Sequence, residues 1–513
     1  MKKTVFIFTF IFTFSIFAQE KKNISDLKGT EFKNSIRLNF IPVQMPTDFD
    51  PNLKGTMGMM GLHYRVPINN WLYGGIGMYA AITGDQGGLF TLGAELGIQK
   101  KIYNNFYFDA NFHFGGGGGY RYLINDGAFI NPNIGINYKQ EKFNLGIQFS
   151  HVNFYTGEIK SNSVSFFVEI PSTLRFTEYE NAQKNFIASN LSDTEFWKEP
   201  VVKNVQQVRF DFFKPLGNSR KDNANNQEPI TETLYVLGFE YQKYISDNTF
   251  LYSHVDAIYK GLRAGFMDLF FGVGYHPYQT EKINLFTKIG IGAAGGRVAP
   301  EGGLMIYPSA GIDVKLSKKL AFSSHVGYFR AIAGDLEALT YGVGLKYYGF
   351  NGGTENYNSF KTQGIRIGFQ NQTYLNVLKT DSPNVDLQLI ALQINYDINK
   401  TFYLTGEASF AYEGKSGGYA HGMAGLGVYS PYFFNSKVRA HLELMAGAAG
   451  GAGVDTGEGI VARPTIGLSY KLTNAVSLQS SIGKLITPFG DLKSTNINIG
   501  LSFGLATLSA RKQ

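Results

Sequence analysis

Hydrophobic and polar residues alternate along most of this chain, and one alternating stretch occurs three times. It reads PNIGINYK at Pro132–Lys139, PSAGIDVK at Pro308–Lys315 and PTIGLSYK at Pro464–Lys471, with proline, glycine and lysine at the same offsets. In each copy one phase is apolar and the other is small or polar. A period of two is typical of a β-strand with one apolar and one polar face. Three copies predict that a longer unit is repeated.

Other positions of the three copies agree with this repeat. Glycine-rich runs occur at Gly115–Gly119, Gly292–Gly296 and Gly447–Gly451. Each copy resolves into about eight alternating segments, which predict about eight strands of about nine to eleven residues, long enough for a tilted membrane crossing. The strands are predicted to start near Ser35, Gly61, Leu72, Leu89, Phe106, Ile130, Phe143 and Ser163; near Val208, Leu237, Phe250, Phe266, Ile283, Met305, Leu320 and Leu339; and near Ile365, Leu392, Phe402, Tyr419, Val438, Val461, Val476 and Asn496.

The repeats also give the predicted domain boundaries. The first repeat spans residues 30–172, the second 204–350 and the third 364–508. Residues 173–203 and 351–363 are predicted linkers, because they break the regular spacing of strands and turns. Within the repeats, short connections alternate with longer ones rich in Gly, Asp and Asn. Short periplasmic turns opposite longer outer loops are typical of outer-membrane barrels.

The N-terminus predicts export from the cytoplasm. Lys2 and Lys3 precede an apolar run from Val5 to Phe17, and Ala18-Gln19 offers a cleavage point. This pattern predicts a secretory signal peptide over residues 1–18, since the apolar run is too short for a spanning helix. No later apolar segment is long enough to cross a membrane as a helix.

An exported chain of amphipathic strands predicts an all-β fold, a transmembrane antiparallel up-and-down β-barrel. The alternative is a secreted β-sandwich or repeat protein. Three units of about eight strands can close as three tandem eight-stranded barrels or as one barrel of about 24 strands. Small inward residues such as Gly97, Gly274 and Gly427 favour three narrow barrels, because a wide lumen does not need them. Charges of both signs within each repeat, and the long linkers, favour the same closure.

Composition and charge exclude several classes of protein. Cysteine is absent, which excludes disulfide scaffolds, thiolate metal sites and a lipoprotein lipid anchor. The formal charge of +7 is small for 513 residues and spread along the chain, so nothing indicates nucleic-acid binding. No cofactor motif, metal site or catalytic group is predicted.

An arginine recurs at the same position of the first strand in each repeat, on the inward phase, and we expect it to pair with inward carboxylates. A buried cation needs such partners, and the fork of arginine can bind two of them. The alternative is that these charges line a permeation path. The predicted lumen charge network consists of Arg37 with Asp109, Arg209 with Asp211 and Glu240, and Arg366 with Asp397 or Glu407.

Acidic residues beside glycines recur at the predicted outer rim. Carboxylates there could hold Ca²⁺ or Mg²⁺ bridged to lipopolysaccharide phosphates. The alternative is turn chemistry, since Asp beside Gly favours tight turns. The six residues are Asp126, Glu301 and Glu458, and Glu158, Asp335 and Asp491.

One segment, FSHVNFYTGEIKSN at Phe149–Asn162, resembles the active-site region of outer-membrane lipid A deacylases. That resemblance implies a lipid-facing His, a Ser two residues later and an acid beyond. His151 and Glu158 match, but position 153 is Asn, so the nucleophile is missing. A lipid A-modifying hydrolase is therefore a weaker functional hypothesis than the two given in the next paragraph.

The alternating strands and the signal peptide together resemble eight-stranded outer-membrane β-barrel proteins of Gram-negative, Bacteroidota-like origin, repeated three times in tandem. The resemblance implies a non-enzymatic protein of the cell outer membrane that presents extracellular loops, with membrane lipid or lipopolysaccharide and the barrel-assembly machinery as partners. The second hypothesis is a transport pore formed by one wide barrel. The sequence does not indicate an oligomeric state.

Overall fold

The computed structural model describes residues 22–188, 195–197, 200–221, 228–262, 265–296, 298, 301–351, 354–355, 357–380 and 382–510. The predicted signal peptide at 1–18 lies outside these residues. The described chain is all-β. Its 26 strands are β1 Lys22–Asn23, β2 Thr30–Gln44, β3 Thr56–Pro67, β4 Leu72–Thr83, β5 Phe90–Tyr103, β6 Phe106–Gly118, β7 Ala128–Lys139, β8 Asn144–Phe154, β9 Lys160–Glu178, β10 Asn185–Ile187, β11 Val202–Pro215, β12 Leu234–Tyr244, β13 Thr249–Lys260, β14 Met267–Gln279, β15 Ile283–Gly295, β16 Leu304–Lys315, β17 Leu320–Ala331, β18 Glu337–Asn351, β19 Ser359–Val377, β20 Val385–Asp397, β21 Phe402–Glu413, β22 Ala420–Tyr429, β23 Val438–Gly450, β24 Ile460–Lys471, β25 Val476–Ile486 and β26 Lys493–Ala510.

Helical structure in the described residues is short. It consists of one α-helical turn at Arg121–Ile124 and 3-10 turns at Ile24–Asp26, Tyr179–Asn181 and residues 195–197. None of these helices is long and apolar enough to cross a membrane. The segment after β9 thus contributes 3-10 turns and the short strand β10 to the region that the sequence predicts as a linker.

Twenty-four of the strands form three sets of eight: the first unit is β2–β9, the second unit β11–β18 and the third unit β19–β26. Consecutive strands of a unit pair antiparallel, and in each unit the first strand also pairs with the last. The second unit closes into a barrel. The ladders between first and last strands run from Thr30–Phe176 to Phe40–Phe166, from Val202–Asn351 to Pro215–Ala338, and from Phe360–Ala510 to Leu375–Thr495.

A short ladder joins the first and third units at one end. Leu505 and Ala506 of β26 lie opposite Glu178 and Thr177 of β9. This ladder joins the first and third units into one sheet, and β1 and β10, which attach to β19, bring it to 18 strands beside the separate barrel of the second unit.

The PNIGINYK, PSAGIDVK and PTIGLSYK stretches form the last eight residues of β7, β16 and β24, each the sixth strand of its unit. Their apolar phase is exposed: Ile134, Ile312 and Ile466 are 52%, 36% and 56% accessible. Their polar phase points inward, and Asn133, Asp313 and Thr465 are buried. The fold is therefore inverted relative to a soluble protein, because apolar side chains face outward and polar ones face inward.

The three units meet along part of this apolar surface. A buried cluster combines Ala80, Phe90 and Leu92 of the first unit with Ala293 of the second and Phe410 of the third. Beyond it, loops at one end hydrogen-bond between units through their backbones. Close approach of these loops requires glycine: Gly88 has φ +93°, and a Cβ atom there would overlap the backbone of Gly295.

Candidate functional site

The lumens of the three units contain all eight residues of the predicted charge network. Each is at most 6% exposed. Strand alternation places them there, since they lie in phase with the buried polar positions of their strands. The structure brings together the predicted residues of the first and second units, but not those of the third.

Aromatic rings lie inside each unit, and in every unit one of them lies over an inward glycine on the neighbouring strand. Tyr73 lies directly opposite Gly97, Phe250 opposite Gly274, and Tyr403 opposite Gly427. A Cβ atom at any of these glycines would overlap the facing ring. Glycine therefore provides the space that an aromatic side chain needs on the inward face of these strands.

The first lumen contains two arginines and three carboxylates. Arg37 Nε donates to Glu169 Oε2 at 2.7 Å, and Arg37 Nη2 donates to Asp109 Oδ2 at 2.8 Å. Arg65 donates to both oxygens of Glu95 and, at 3.2 Å, to Glu169. All five side chains are buried, so each ion pair is shielded from water.

In the second lumen Arg209 is surrounded by acids. It donates to Asp211 and, at 3.0 Å, to Glu240, and it lies 3.6 Å from Asp256. Lys288 Nζ donates to Glu240 at 2.7 Å. A separate buried pair joins Lys346 to Asp313 at 2.9 Å.

Beside this network lies a group of three side chains that the sequence did not predict as a site. Asp256 and Asp268 face each other on β13 and β14, and His254 is adjacent. Among the described residues, these three side chains form the one group of at least three His, Cys, Asp or Glu residues whose potential metal-ligating atoms all lie within 4.8 Å of one another. Among the residues that the structure describes, none donates a hydrogen bond to the carboxylate oxygens of the two aspartates. Alternation along the HVD stretch at 254–256 was the available signal.

The geometry of His254 decides what this group can bind. Arg209 Nη1 lies 2.7 Å from His254 Nδ1. Guanidinium nitrogens only donate, so Nδ1 accepts and a neutral ring carries its proton on Nε2. Nε2 lies 3.5 Å from Asp268 and 3.7 Å from Asp256. With that proton in place Nε2 cannot ligate a metal ion, which leaves the two carboxylates as the available ligands.

The third lumen corrects the pairing that we predicted for Arg366. Glu407 instead binds Arg463 Nη2 at 2.8 Å and His421 at 3.0 Å. Asp397 accepts a hydrogen bond from Tyr179 at 2.6 Å. Among the described residues, no carboxylate lies within ion-pair distance of Arg366. The prediction failed because Tyr179 enters from the segment after β9 and occupies the position expected for Arg366.

Arg366 and Arg439 line a cavity of about 580 Å³ at the end of the third unit where Tyr179 lies. Both guanidinium groups stack on tyrosine rings: Arg366 lies 4.2 Å from the Tyr179 ring centroid, and Arg439 lies 3.4 Å from that of Tyr429. Burial raises the pKa of Tyr179, which lies outside the strands, so its hydroxyl stays protonated. The cavity also reaches the turn residues Lys400 and Ser436, which are exposed.

The predicted rim acids do not form one cluster, and two of them bridge units. Asp126 Oδ1 accepts a hydrogen bond from the Lys415 backbone at 2.6 Å, and Glu301 lies 3.7 Å from Lys54 Nζ. The Glu301 carbonyl also accepts from Gly87 at 2.6 Å. Cation binding stays a prediction for the set Asp126, Glu158, Glu301, Asp335, Glu458 and Asp491.

The segment considered for hydrolysis gives no catalytic geometry among the described residues. His151 lies on β8, and its Nδ1 is 2.8 Å from Asn162 Oδ1. Asn153 stands where the resemblance requires a serine. The Glu158 backbone donates to Leu123, so this acid belongs to a loop contact.

Three strong ion-pair partners were not predicted from the sequence: Arg65, Glu169 and Arg463. Arg65 and Arg463 lie in phase with the inward residues His63 and Thr465, so strict alternation would have found them. Glu169 lies directly opposite Arg37 in the ladder between β2 and β9. Its role depends on which strands close the unit.

No protein-family model matches the chain, and no curated protein does. Solved structures align over most of its length at low similarity. A mutant of the ferric enterobactin receptor PfeA from Pseudomonas aeruginosa is 6% identical, covering 92% of this chain and 80% of that one, with a TM-score of 0.27. The siderophore receptor PirA from Acinetobacter baumannii is 8% identical, covering 95% and 81%, with a TM-score of 0.26. The copper transporter OprC is 9% identical, covering 95% and 81%, with a TM-score of 0.28. TM-scores this low assign no function to this chain.

Proposed function

We propose that this chain is an integral protein of the cell outer membrane, built as three tandem eight-stranded barrels that do not conduct. It is exported by a cleaved signal peptide at 1–18, inserted by the barrel-assembly machinery, and embedded in membrane lipid and lipopolysaccharide. Its role is structural or that of an interaction partner, rather than enzymatic. The loops that form backbone hydrogen bonds between units face the outside. The observation that carries the proposal is that each unit holds at least one buried ion pair and a ring packed over an inward glycine in its interior.

The outward faces support insertion into a membrane. Apolar side chains such as Ile147, Leu444 and Leu468 are 65%, 62% and 53% accessible, and similar residues recur on strands of all three units. A soluble monomer rarely exposes apolar patches on this scale. Outward apolar strands around a polar interior are the arrangement of transmembrane β-barrels.

Strand pairing supports three barrels rather than one wide barrel. A single barrel of 24 strands would pair β9 with β11 and β18 with β19. The ladders instead connect β2 to β9, β11 to β18 and β19 to β26. Eight strands enclose a space that side chains alone can fill.

Engineered cysteines test the closure, because the chain has no cysteine of its own. Residues 210 and 343 lie opposite each other in the second unit, and residues 367 and 503 in the third. We expect oxidation to cross-link the double variants Phe210→Cys/Val343→Cys and Ile367→Cys/Phe503→Cys. The matched control is Val343→Cys/Ile367→Cys, which joins two units. A cross-link only in that control would establish the single wide barrel.

Planar-bilayer recording tests conduction by the folded protein. Three filled lumens predict no steady channel, with heat-modifiable mobility on gels as the check that the sample is folded. Large, steady openings would mean that the lumens are not filled as the structure indicates, and would favour the pore. Fractionation of cell membranes and mass spectrometry of the mature N-terminus test the location and the cleavage after residue 18.

A further inference from the structure

The geometry points to an anion-binding site in the cavity of the third unit, formed by Arg366 and Arg439. We propose that it binds a small soluble molecule through a phosphate or carboxylate group. The site does not include the ion-paired charges inside the units, and the function proposed above does not use it.

Both arginines are buried without a neutralising partner. Arg366 is 4% exposed and Arg439 is 5% exposed. Within the described part of the chain, neither has a carboxylate within ion-pair distance, and Arg366 Nη1 and Arg439 Nε have no hydrogen-bond partner. Their remaining polar contacts are long: 3.4 Å from Arg366 to Tyr432 Oη and 3.5 Å from Arg439 to Tyr179 Oη. A buried charge in this condition is costly unless a ligand satisfies it.

The charge of the cavity wall is also positive. Its charged residues are Arg366, Arg439, Lys400, Lys471, Glu180 and Asp397. Both acids already have partners, since Lys471 donates to Glu180 and Tyr179 donates to Asp397. The two arginines and Lys400 therefore remain to bind an incoming anion.

Stacking leaves the guanidinium edges free for such a ligand. Arg366 lies between the rings of Tyr179 and Tyr429, at 4.2 and 4.5 Å from their centroids. Arg439 stacks on Tyr429 at 3.4 Å. Rings cover the faces of a guanidinium but leave its in-plane N–H donors available, and those donors match the oxygens of phosphate or carboxylate.

The size and position of the cavity indicate the kind of ligand. A volume of about 580 Å³ lies within the usual range for small-molecule pockets and is larger than a single phosphate ion needs. The wall extends from buried Arg366 to exposed turn residues, so a soluble molecule can enter from that end. This is the end where short connections join the strands, which the proposed orientation places in the periplasm.

Titration calorimetry of the full chain in phosphatidylcholine nanodiscs tests the site, with inorganic phosphate and citrate as probes at constant ionic strength. We expect saturable binding of one anion per chain. Arg439→Gln and Arg366→Gln should each weaken binding about 10-fold or more, as expected for loss of a charge-assisted hydrogen bond. Arg439→Lys keeps the charge but loses the fork, and should give an intermediate affinity.

Controls separate the site from general charge and from folding. Lys318→Gln removes an exposed cation in a turn of the second unit and should leave affinity unchanged. Lys400→Gln, at the exposed edge of the cavity, should weaken binding by about 3-fold without touching a buried group. Heat-modifiability confirms that each variant is folded.

The source of the anion is tested by adding phosphatidylglycerol to the nanodiscs. Competition with soluble phosphate would show that a lipid headgroup also reaches the arginines, and its absence restricts the ligand to soluble molecules. No saturable binding of either probe, or equal binding by the Arg366→Gln/Arg439→Gln double variant, would overturn the proposal. Neither result depends on conductance or on how the strands close.

Discussion

The second and third lumens contain an arginine at the same place in their first strand and use it in opposite ways. Arg209 is within ion-pair distance of three carboxylates. Arg366 stacks on two tyrosines and has no carboxylate at that distance among the described residues. Strand position fixes that each side chain points inward, but neighbours on other strands, and on the segment after β9, determine what it does there.

The two lumens also distribute their acids differently. Within the described residues, buried Arg209, Lys288 and Lys346 face five buried acids in the second unit: Asp211, Glu240, Asp256, Asp268 and Asp313. In the third unit three buried arginines match three buried acids, and among the described residues Arg463 is the one of these arginines that lies within ion-pair distance of an acid, Glu407. The second lumen therefore mixes its charges, whereas the third separates them and leaves two cations beside a cavity.

Arg209→Met should produce the largest effect on this comparison. Methionine fills much of the volume but leaves Asp211 and Asp256 buried without their cation, and leaves Glu240 with Lys288 alone. We expect a loss of about 3–5 kcal/mol in the free energy of unfolding, measured by urea titration in lipid vesicles. A loss below about 1 kcal/mol would indicate a water-filled lumen, where ion pairs are screened.

Arg463→Met should have the next largest effect, within the third unit. It breaks a single buried pair with Glu407, so we expect a loss of about 3 kcal/mol in the same titration. This variant is the matched control for Arg366, because both remove a buried arginine from one lumen. Equal losses from the two positions would remove the distinction between paired and unpaired arginines.

Asp268→Asn should raise stability by about 1–2 kcal/mol, because it removes the cost of burying a second carboxyl group opposite Asp256, which must either repel its neighbour or be held neutral. Thermal unfolding followed by gel mobility measures the change, and Asp335→Asn at the exposed rim should leave the midpoint unchanged. A fall in stability would reverse the interpretation, since it would mean that a cation normally occupies the two carboxylates.

Arg366→Met should have the smallest effect. Among the described residues it breaks no ion pair, and the lost stacking on two tyrosine rings is worth about 2 kcal/mol at a desolvated site. Replacing an uncompensated charge by an apolar side chain offsets that loss. We expect an unfolding free energy within about 1 kcal/mol of wild type, and a loss as large as that of Arg463→Met would reveal a partner for Arg366.

Much of the strand order was predictable, because the outward belt imposes a period of two on the sequence. Predicted starts at Leu72, Phe106, Ile283, Leu320 and Phe402 coincide with the beginnings of β4, β6, β15, β17 and β21. Long first strands were predicted late: near Ser35 and Ile365, where β2 and β19 begin at Thr30 and Ser359. Their early residues extend beyond the apolar belt, where alternation no longer marks them.

The pairings inside the lumens were less predictable, because they depend on closure. Asp109 was found as a partner of Arg37 from sign and phase alone. Glu169 was missed, since it reaches Arg37 only through the ladder that closes the first unit. The arginine cavity was also missed, because Tyr179 comes from residues that the sequence marks only as a linker.

Because Tyr179 lines the cavity, the cavity is complete only after distant parts of the chain have come together. The tyrosine follows the last strand of the first unit, whereas Arg366 and Arg439 belong to the third, and Gly504 of the final strand also lines the wall. A chain in which β26 has not yet paired therefore has both arginines and the tyrosine but no enclosed cavity. Anion capture would then report that the whole polypeptide has finished folding, from its first unit to its last strand.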